Sequence, residues 1–342
     1  VAETPPSRAF PRRLLRIGGV TLLVVIVLLS AAWANLAIWY RLTGSNAIRV
    51  GTCALLDGVA IAGMTGFIVR WDRRAMLVYA AVYTVLVLWW VSIHPSNEKD
   101  WATDVAHGVT GSFDGDRLLV ENVRNFSWRS ETDFTERWEQ RTYDLSTLRS
   151  LDLYLVYWMG PAIAHTMVSF GFQDGRYLDF SIELRRTRGA EYSAIAGFFK
   201  TSELVYVGAD ERDLLTLRKI RHEDVRLYRL RTPPVQVRGL LAQYIEMAND
   251  IAAHPRFYNT LTTNCTTTIF DMARAVNSSI PFDWRVIFTG YLPSFLYDRR
   301  AVDTSVPLHE LRRRADVNGR IAADLSEIDL SSFVRNDVPS PR

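Results

Sequence analysis

The chain has two cysteines in 342 residues, Cys53 and Cys265. The second lies in "YNTLTTNCTTTIFDMAR", residues 258–274. Its neighbours Thr262, Thr263, Asn264, Thr266 and Thr267 are polar, which is not the apolar setting of an ordinary buried thiol. Asn264 is a good N-cap, because its side-chain oxygen can accept from an unpaired N–H of a first helical turn. Ile269, Phe270, Ala273 and Val276 then continue a helical stripe. The spacing predicts a helix that opens on Cys265. At that position the positive end of the helix dipole favours a thiolate, and the unpaired N–H groups around Asn264 offer an oxyanion site. The chemistry indicated is nucleophilic attack through sulfur; the competing reading is a small structural thiol.

Such a thiol needs a base, and six histidines are available. His94 adjoins the last apolar run, His107 a polar segment and His222 a basic stretch; His254 lies in a loop and His309 in the tail. His165, in "GPAIAHTMVSF", falls at the start of a predicted central strand, where its ring must find a partner. That partner is either Cys265 or a neighbour in a satisfied core. Glu183, in "SIELRR", is the carboxylate best placed to orient His165. Yet a two-residue turn at Asp174-Gly175 pairs 166 with 183 and 165 with 184. Strict alternation then puts Glu183 on the face opposite His165 unless a bulge intervenes, and it would pair with Arg185 or Arg186 instead. No His/Cys cluster has ligand spacing, so neither a metal nor a cofactor is expected.

The elements that must position these residues alternate in period. Strands are predicted over 118–123, 151–158, 164–172, 177–184, 204–207 and 225–230, with Asp-Gly marking a hairpin. A helix is predicted over 235–252, with Val237, Leu240, Leu241, Tyr244, Ile245 and Ala248 on one face. Residues 126–143, crowded with charge and aromatics, read as a solvated surface or a clamp over a site. Short helices and a basic tail follow Pro281. The pattern is α+β, an antiparallel sheet with helices packed to one side.

Three apolar runs precede this domain, at about 17–40, 50–69 and 75–93. Each is near the roughly 20 residues a helix needs to cross the hydrocarbon core. Arg8, Arg12, Arg13 and Arg16 precede the first run, and Arg70, Arg73 and Arg74 separate the second from the third. The positive-inside rule places both groups in the cytoplasm and the rest of the chain, after His94, outside. The expected organisation is a membrane anchor over 1–94, a linker over 95–116 and an extracytoplasmic domain over 117–342. Asp57, the one ionisable residue within a run, is either functional or shallow enough to reach the outer headgroups. A disulfide between Cys53 and Cys265 is conceivable; the expectation is that Cys265 is free. Basic and acidic residues are interspersed, at 40 and 37, which argues against nucleic-acid binding. Membrane lipids or a lipoprotein are the expected partners, and the oligomeric state is open.

A histidine on a strand, a hairpin and a later "NC" opening a helix resemble the permuted papain-like (NlpC/P60-related) thiol enzymes, including the lecithin–retinol acyltransferase group. More closely, "VENVRNFSWRSETDF", "AHTMVSFGF", "SIELRR", "GFFKTSELVYVGADERDLLTLR" and "FYNTLTTNCTTTIF" resemble, in order, the Lnb N-terminal periplasmic domain family, from about Trp101 to the tail. The family's namesake is a lipoprotein N-acyltransferase with membrane segments after this domain, whereas here the three runs precede it. The resemblance implies His165 and Cys265 as a catalytic pair working through an acyl-thioester. Its alternatives are a cysteine amidase or peptidase acting on cell-wall peptide, and a membrane scaffold without activity.

Overall fold

The computed structural model describes residues 9–158, 160–190, 193, 195–260, 262–322 and 324–341, with side chains described from residue 16 onward. The chain forms two compact units, one of residues 1–94 with 199–201 and one of the remainder. In the first, helices α1 (Ala9–Arg41), α2 (Asn46–Arg70) and α3 (Arg73–Ser92) are each long and apolar enough to cross a membrane. Ser45 and Asp72 cap the second and third. Asp57 on α2 accepts a 2.8 Å hydrogen bond from the Asn35 amide on α1, so its carboxylate is held between helices. Both cysteines are free thiols.

The second unit is built on one large sheet. Its strands are β1 (Thr110–Asp114), β2 (Arg117–Arg124), β3 (Ser127–Trp128), β4 (Phe134–Thr135), β5 (Trp138–Asp144), β6 (Leu148–Tyr157), β7 (Ala164–Phe172), β8 (Tyr177–Arg185), β9 (Glu203–Ala209) and β10 (Asp224–Arg229). Its helices are α4 (Glu211–Ile220), α5 (Pro234–Ala253), α6 (Cys265–Val276), α7 (Leu292–Asp298), α8 (Leu308–Arg314) and α9 (Glu327–Val334). The strand order is β1-β2-β9-β8-β7-β6-β10, with β5 also on β2 and β3–β4 a separate pair. The central strands are antiparallel. Every residue of β9 is buried, so both faces of the sheet are covered. On one face Leu153, Val168, Phe170 and Phe180 pack against Leu241, Tyr244 and Ile245 of α5 and Ile269 of α6. On the other, Met167 and Val207 pack against Leu214 and Leu215 of α4 and Leu330 and Val334 of α9.

The helices therefore flank the sheet on both sides rather than one. The sequence segment "DERDLLTLRKI" hid α4 because charge surrounds its short leucine stripe. The expected linker over 95–116 is instead part of the domain. It carries β1, Trp101 bridges to Thr187, and buried Arg185 donates to the carbonyls of Val105 and Ala106. Nor is 126–143 wholly a solvated surface. Phe126 and Trp128 are buried, and Asp213 of α4 accepts from the Phe126 N–H, the Trp128 indole and the Arg124 guanidinium.

The β7–β8 hairpin sets the register that matters for function. Phe172 N–H donates to Arg176 O and Gly175 N–H to Phe172 O, which closes a three-residue loop, Gln173–Asp174–Gly175. Gly175 sits at φ +85°, the left-handed position such loops demand. Pairs then run Gly171–Tyr177 to Met167–Ser181. Continuing that count sets 165 against 183, not 184. The extra loop residue corrects the two-residue expectation and returns Glu183 to the face of His165.

Candidate active site

Helix α6 begins where its sequence predicts. Asn264 Oδ1 accepts from the N–H groups of Thr266 and Thr267, at 2.9 and 3.0 Å, and Thr267 Oγ1 accepts in return from the Asn264 N–H. This reciprocal cap fixes the first turn. Asn264 Nδ2 donates to Thr260 O at 2.9 Å. With both ends of its amide engaged, the Asn264 side chain acts as a cap that fixes the helix start. The backbone N–H of Cys265 itself has no partner among the described residues.

The start of β7 is held from two sides. The Thr289 hydroxyl accepts from Ala164 N–H at 2.7 Å and donates to Ala164 O at 2.6 Å. The hydroxyls of Thr166 and Thr266 meet at 2.9 Å and tie β7 to α6. Strand β7 pairs with β6 as far as Ala164–Tyr157, but with β8 only to Met167–Ser181. Above that point the two strands part, and the Cys265 sulfur lies 3.7 Å from the Thr266 hydroxyl.

His165 joins the thiol to a chain of polar groups. Its Nε2 lies 2.7 Å from Ser181 Oγ, Ser181 donates to Glu183 Oε1 at 2.6 Å, and Nε2 is 3.4 Å from the same carboxylate oxygen. Arg218 of α4 donates to that oxygen at 2.8 Å. Nδ1 is thus the ring nitrogen left for the sulfur. The structure brings Cys265, His165 and Glu183 together and adds Ser181, Arg218 and Thr289, which sequence reasoning missed. Ser181 was within reach of it: it stands two residues before Glu183 and so on the same strand face. His254 pairs with Asp250 at 3.0 Å on the surface, and His107 packs edge-on against Trp138, so both are engaged elsewhere.

The electrostatics of the pair follow from this geometry. Burial alone would lower the His165 pKa, but the charges of Glu183 and of the Cys265 thiolate, with hydrogen bonds to both, raise it to about 10. Burial would raise the Cys265 thiol. The His165 charge and hydrogen bond, the Thr166 N–H and the Thr266 hydroxyl outweigh it and lower the pKa. Burial likewise works against the Glu183 carboxylate, yet His165 and Arg218 hold its pKa well below the ordinary carboxylate range. Both shifts act in the direction of the thiolate–imidazolium form of the pair. His165 is 13% exposed and Cys265 half-buried, so the pair is shielded but reachable.

A cavity of about 510 Å³ opens beside the pair. Thr166 and Thr266, the chain neighbours of His165 and Cys265, line it, and Leu153, Val168, Ile269 and Phe295 are among its apolar walls. No aspartate or glutamate lines it, and Arg231, Arg299 and Arg300 stand at its exposed rim. Its size falls in the ~300–1,000 Å³ range of small-molecule sites. Among the described residues, no three His, Cys, Asp or Glu side chains group as metal ligands would.

This geometry can be set beside known proteins. Residues 134–290 match the Lnb N-terminal periplasmic domain family. The match runs from β4 to just past Thr289 and contains His165, Ser181, Glu183, Arg218 and Cys265, so these polar groups of the site all lie inside the matched stretch. The resemblance read from the sequence is shown over that stretch; residues from Trp101 to Asp133 and the tail lie outside it. With three apolar helices ahead of it, the Lnb match fits a membrane protein with an extracytoplasmic C-terminal domain. No curated protein and no solved structure matches the chain.

Proposed function

We propose that this protein is a membrane-anchored thiol enzyme that transfers or hydrolyses acyl groups at the outer face of the cytoplasmic membrane. The observation that carries the reading is the Cys265–His165 pair, each lowering or raising the other's pKa towards the charged form, with the adjacent Thr166 and Thr266 lining a largely apolar cavity free of acids. The walls offered by Leu151, Leu153, Val168, Leu240, Ile269 and Phe295 suit an acyl chain. The histidine on a strand, followed by the cysteine at a helix start with the helix against the sheet, supports the permuted papain-like reading of the fold. The lipoprotein chemistry of the family's namesake belongs to the same class of reaction.

In the first half-reaction the Cys265 thiolate attacks an ester carbonyl carbon. A C–S bond forms and the carbonyl electron pair moves to oxygen, to which the Cys265 N–H would donate. Collapse breaks the C–O bond, and the leaving alkoxide takes the proton of the His165 imidazolium. In the second half-reaction neutral His165 removes a proton from an amine or water as it attacks the thioester. The new C–N or C–O bond forms, the C–S bond breaks, and the thiolate–imidazolium pair is restored. Glu183 and Ser181 keep the imidazole oriented through Nε2 in both halves.

The test is mass spectrometry of the full chain incubated in detergent micelles with a long-chain phospholipid. One acyl chain should appear on the peptide bearing Cys265 and be released by neutral hydroxylamine. Cys265→Ala should abolish the adduct, and His165→Ala should slow its formation on the order of 10²-fold or more. Absence of the adduct on a thiol that still alkylates would sink the reading.

A further inference from the structure

Five large apolar side chains between residues 282 and 291 lie on the surface of the Lnb-type domain. Phe282 is 63% exposed, Trp284 55%, Phe288 45%, Ile287 43% and Tyr291 37%. They form one patch: Trp284 packs against Phe288 and Tyr291, with ring centres 6.1 and 5.5 Å apart, and Phe282 meets Phe270 at 6.1 Å. Val286, in the same segment, is buried and lines the cavity, as do Phe270 and the following Leu292. One stretch of chain is thus cavity wall on the inside and aromatic surface on the outside. An exposed apolar patch of this kind marks an interaction site.

Charge selects the partner. Arg285, inside the patch, is neutralised by Asp283 and Asp298. The uncompensated cations stand at the cavity rim, where Arg231 and Arg300 have no carboxylate partner among the described residues and Arg299 reaches only the Ser279 carbonyl. Aromatic rings beside an arginine rim match the interfacial zone of an anionic bilayer, where Trp and Tyr sit at headgroup level and basic residues meet phosphate. The chain's own apolar helices keep such a bilayer at high effective concentration. Resting on the acyl-chain reading of the same cavity, we propose that residues 282–291 dock on an anionic phospholipid leaflet. An acyl chain enters the cavity from there while its phosphate stays with Arg231, Arg299 and Arg300.

The experiment uses the full chain with Cys53→Ala and Cys265→Ala, in nanodiscs containing phosphatidylglycerol. Spin labels are placed through Phe282→Cys or Phe288→Cys, and a reference label through Asp114→Cys on β1. The labels at 282 and 288 should collide with oxygen and be shielded from a water-soluble nickel chelate; the reference should show the reverse. Arg231→Gln, Arg299→Gln and Arg300→Gln together should raise nickel access at 282. Labels at 282 and 288 as open to nickel as the reference overturn the proposal, and so do labels shielded from both probes, which would mean a protein partner. This readout needs no Cys265 chemistry, so it stands even where acylation fails. In the chain with its native thiols, Phe282→Ser, Trp284→Ser and Phe288→Ser together should slow Cys265 acylation by bilayer phospholipid at least tenfold more than acylation by a soluble short-chain thioester. Equal slowing of the two counts against docking.

Discussion

The charge on His165 depends on Glu183, and the ionisation of Cys265 depends on His165 in turn. Glu183→Gln removes the charge that raises the imidazole, so its pKa should fall from about 10 towards the ordinary ~6.5. At pH 8 the ring then becomes neutral and ceases to lower the thiol. Alkylation of Cys265 at pH 8 should slow on the order of tenfold, and its rate profile should move to higher pH. In the unaltered protein the sign is fixed by both partners. Reactivity falls as pH drops through the lowered thiol pKa and changes form again above about 10, where the imidazolium is lost. Ser181→Ala leaves the carboxylate and its charge in place but breaks the bridge to Nε2. It should slow acylation while moving the alkylation profile less than Glu183→Gln does; an equal shift would mean that Ser181 sets the charge rather than the orientation. The thiol, its cap and the histidine were legible in the sequence because each leaves a local mark: polar flanks, an Asn before an apolar stripe, a ring in a strand. Arg218 and Thr289 left none, since each reaches its partner across a long stretch of chain, 35 residues to Glu183 and 125 to Ala164.

At the scale of elements, the β7–β8 turn decides which side of the sheet Glu183 occupies. Sequence periodicity located both strands but miscounted the loop by one, because Asp-Gly serves two-residue and three-residue turns alike. Deleting Gln173 should force the shorter turn, rotate one strand by a residue and carry Glu183 away from His165. The expected outcome is a folded protein by circular dichroism with an alkylation profile close to that of Glu183→Gln. Helix α4 escaped sequence reading for a related reason. It is buried on most of its surface, and its charged residues are spent inside the domain, Asp213 on Arg124 and Glu211 on Arg335. A solvated helix and a helix buried through ion pairs share one composition.

Across the whole molecule, orientation and closure are the open quantities. A reporter active only outside the cytoplasm should be active when fused after Arg342 and silent after Arg73. The reverse would put Cys265 in a reducing compartment and end the case for an extracytoplasmic enzyme. Closure of the domain rests on Arg335, just past α9, which reaches Asp152 of β6 at 2.8 Å and Glu211 of α4 at 2.7 Å; Tyr154 and Ser169 complete the cluster around Glu211. Arg335→Met should cost about 3–5 kcal/mol in chemical denaturation, because it leaves buried carboxylates unpaired. Asp179 lies nearby, fully buried, and burial and the Glu211 charge hold its pKa well above the ordinary value. Its carboxyl therefore takes up a proton on folding at pH values above about 4, and the native state loses stability as pH rises through that window. Asp179→Asn has no such proton to lose, so its melting temperature relative to the unaltered protein should climb from pH 4 to pH 8; a flat difference would mean that the group is ionised in the fold.

The Arg335 cluster also bears on how the protein is born. A chain emerging from its N-terminus delivers Asp152 and Glu211 long before their cation, which follows them by 183 and 124 residues. Until it arrives, the carboxylates of Asp152 and Glu211 lack that cation, while α4 is already held through Asp213 on Arg124. Arg335 therefore completes the ion pairing of these buried carboxylates only after the stretch that carries Cys265 has been made.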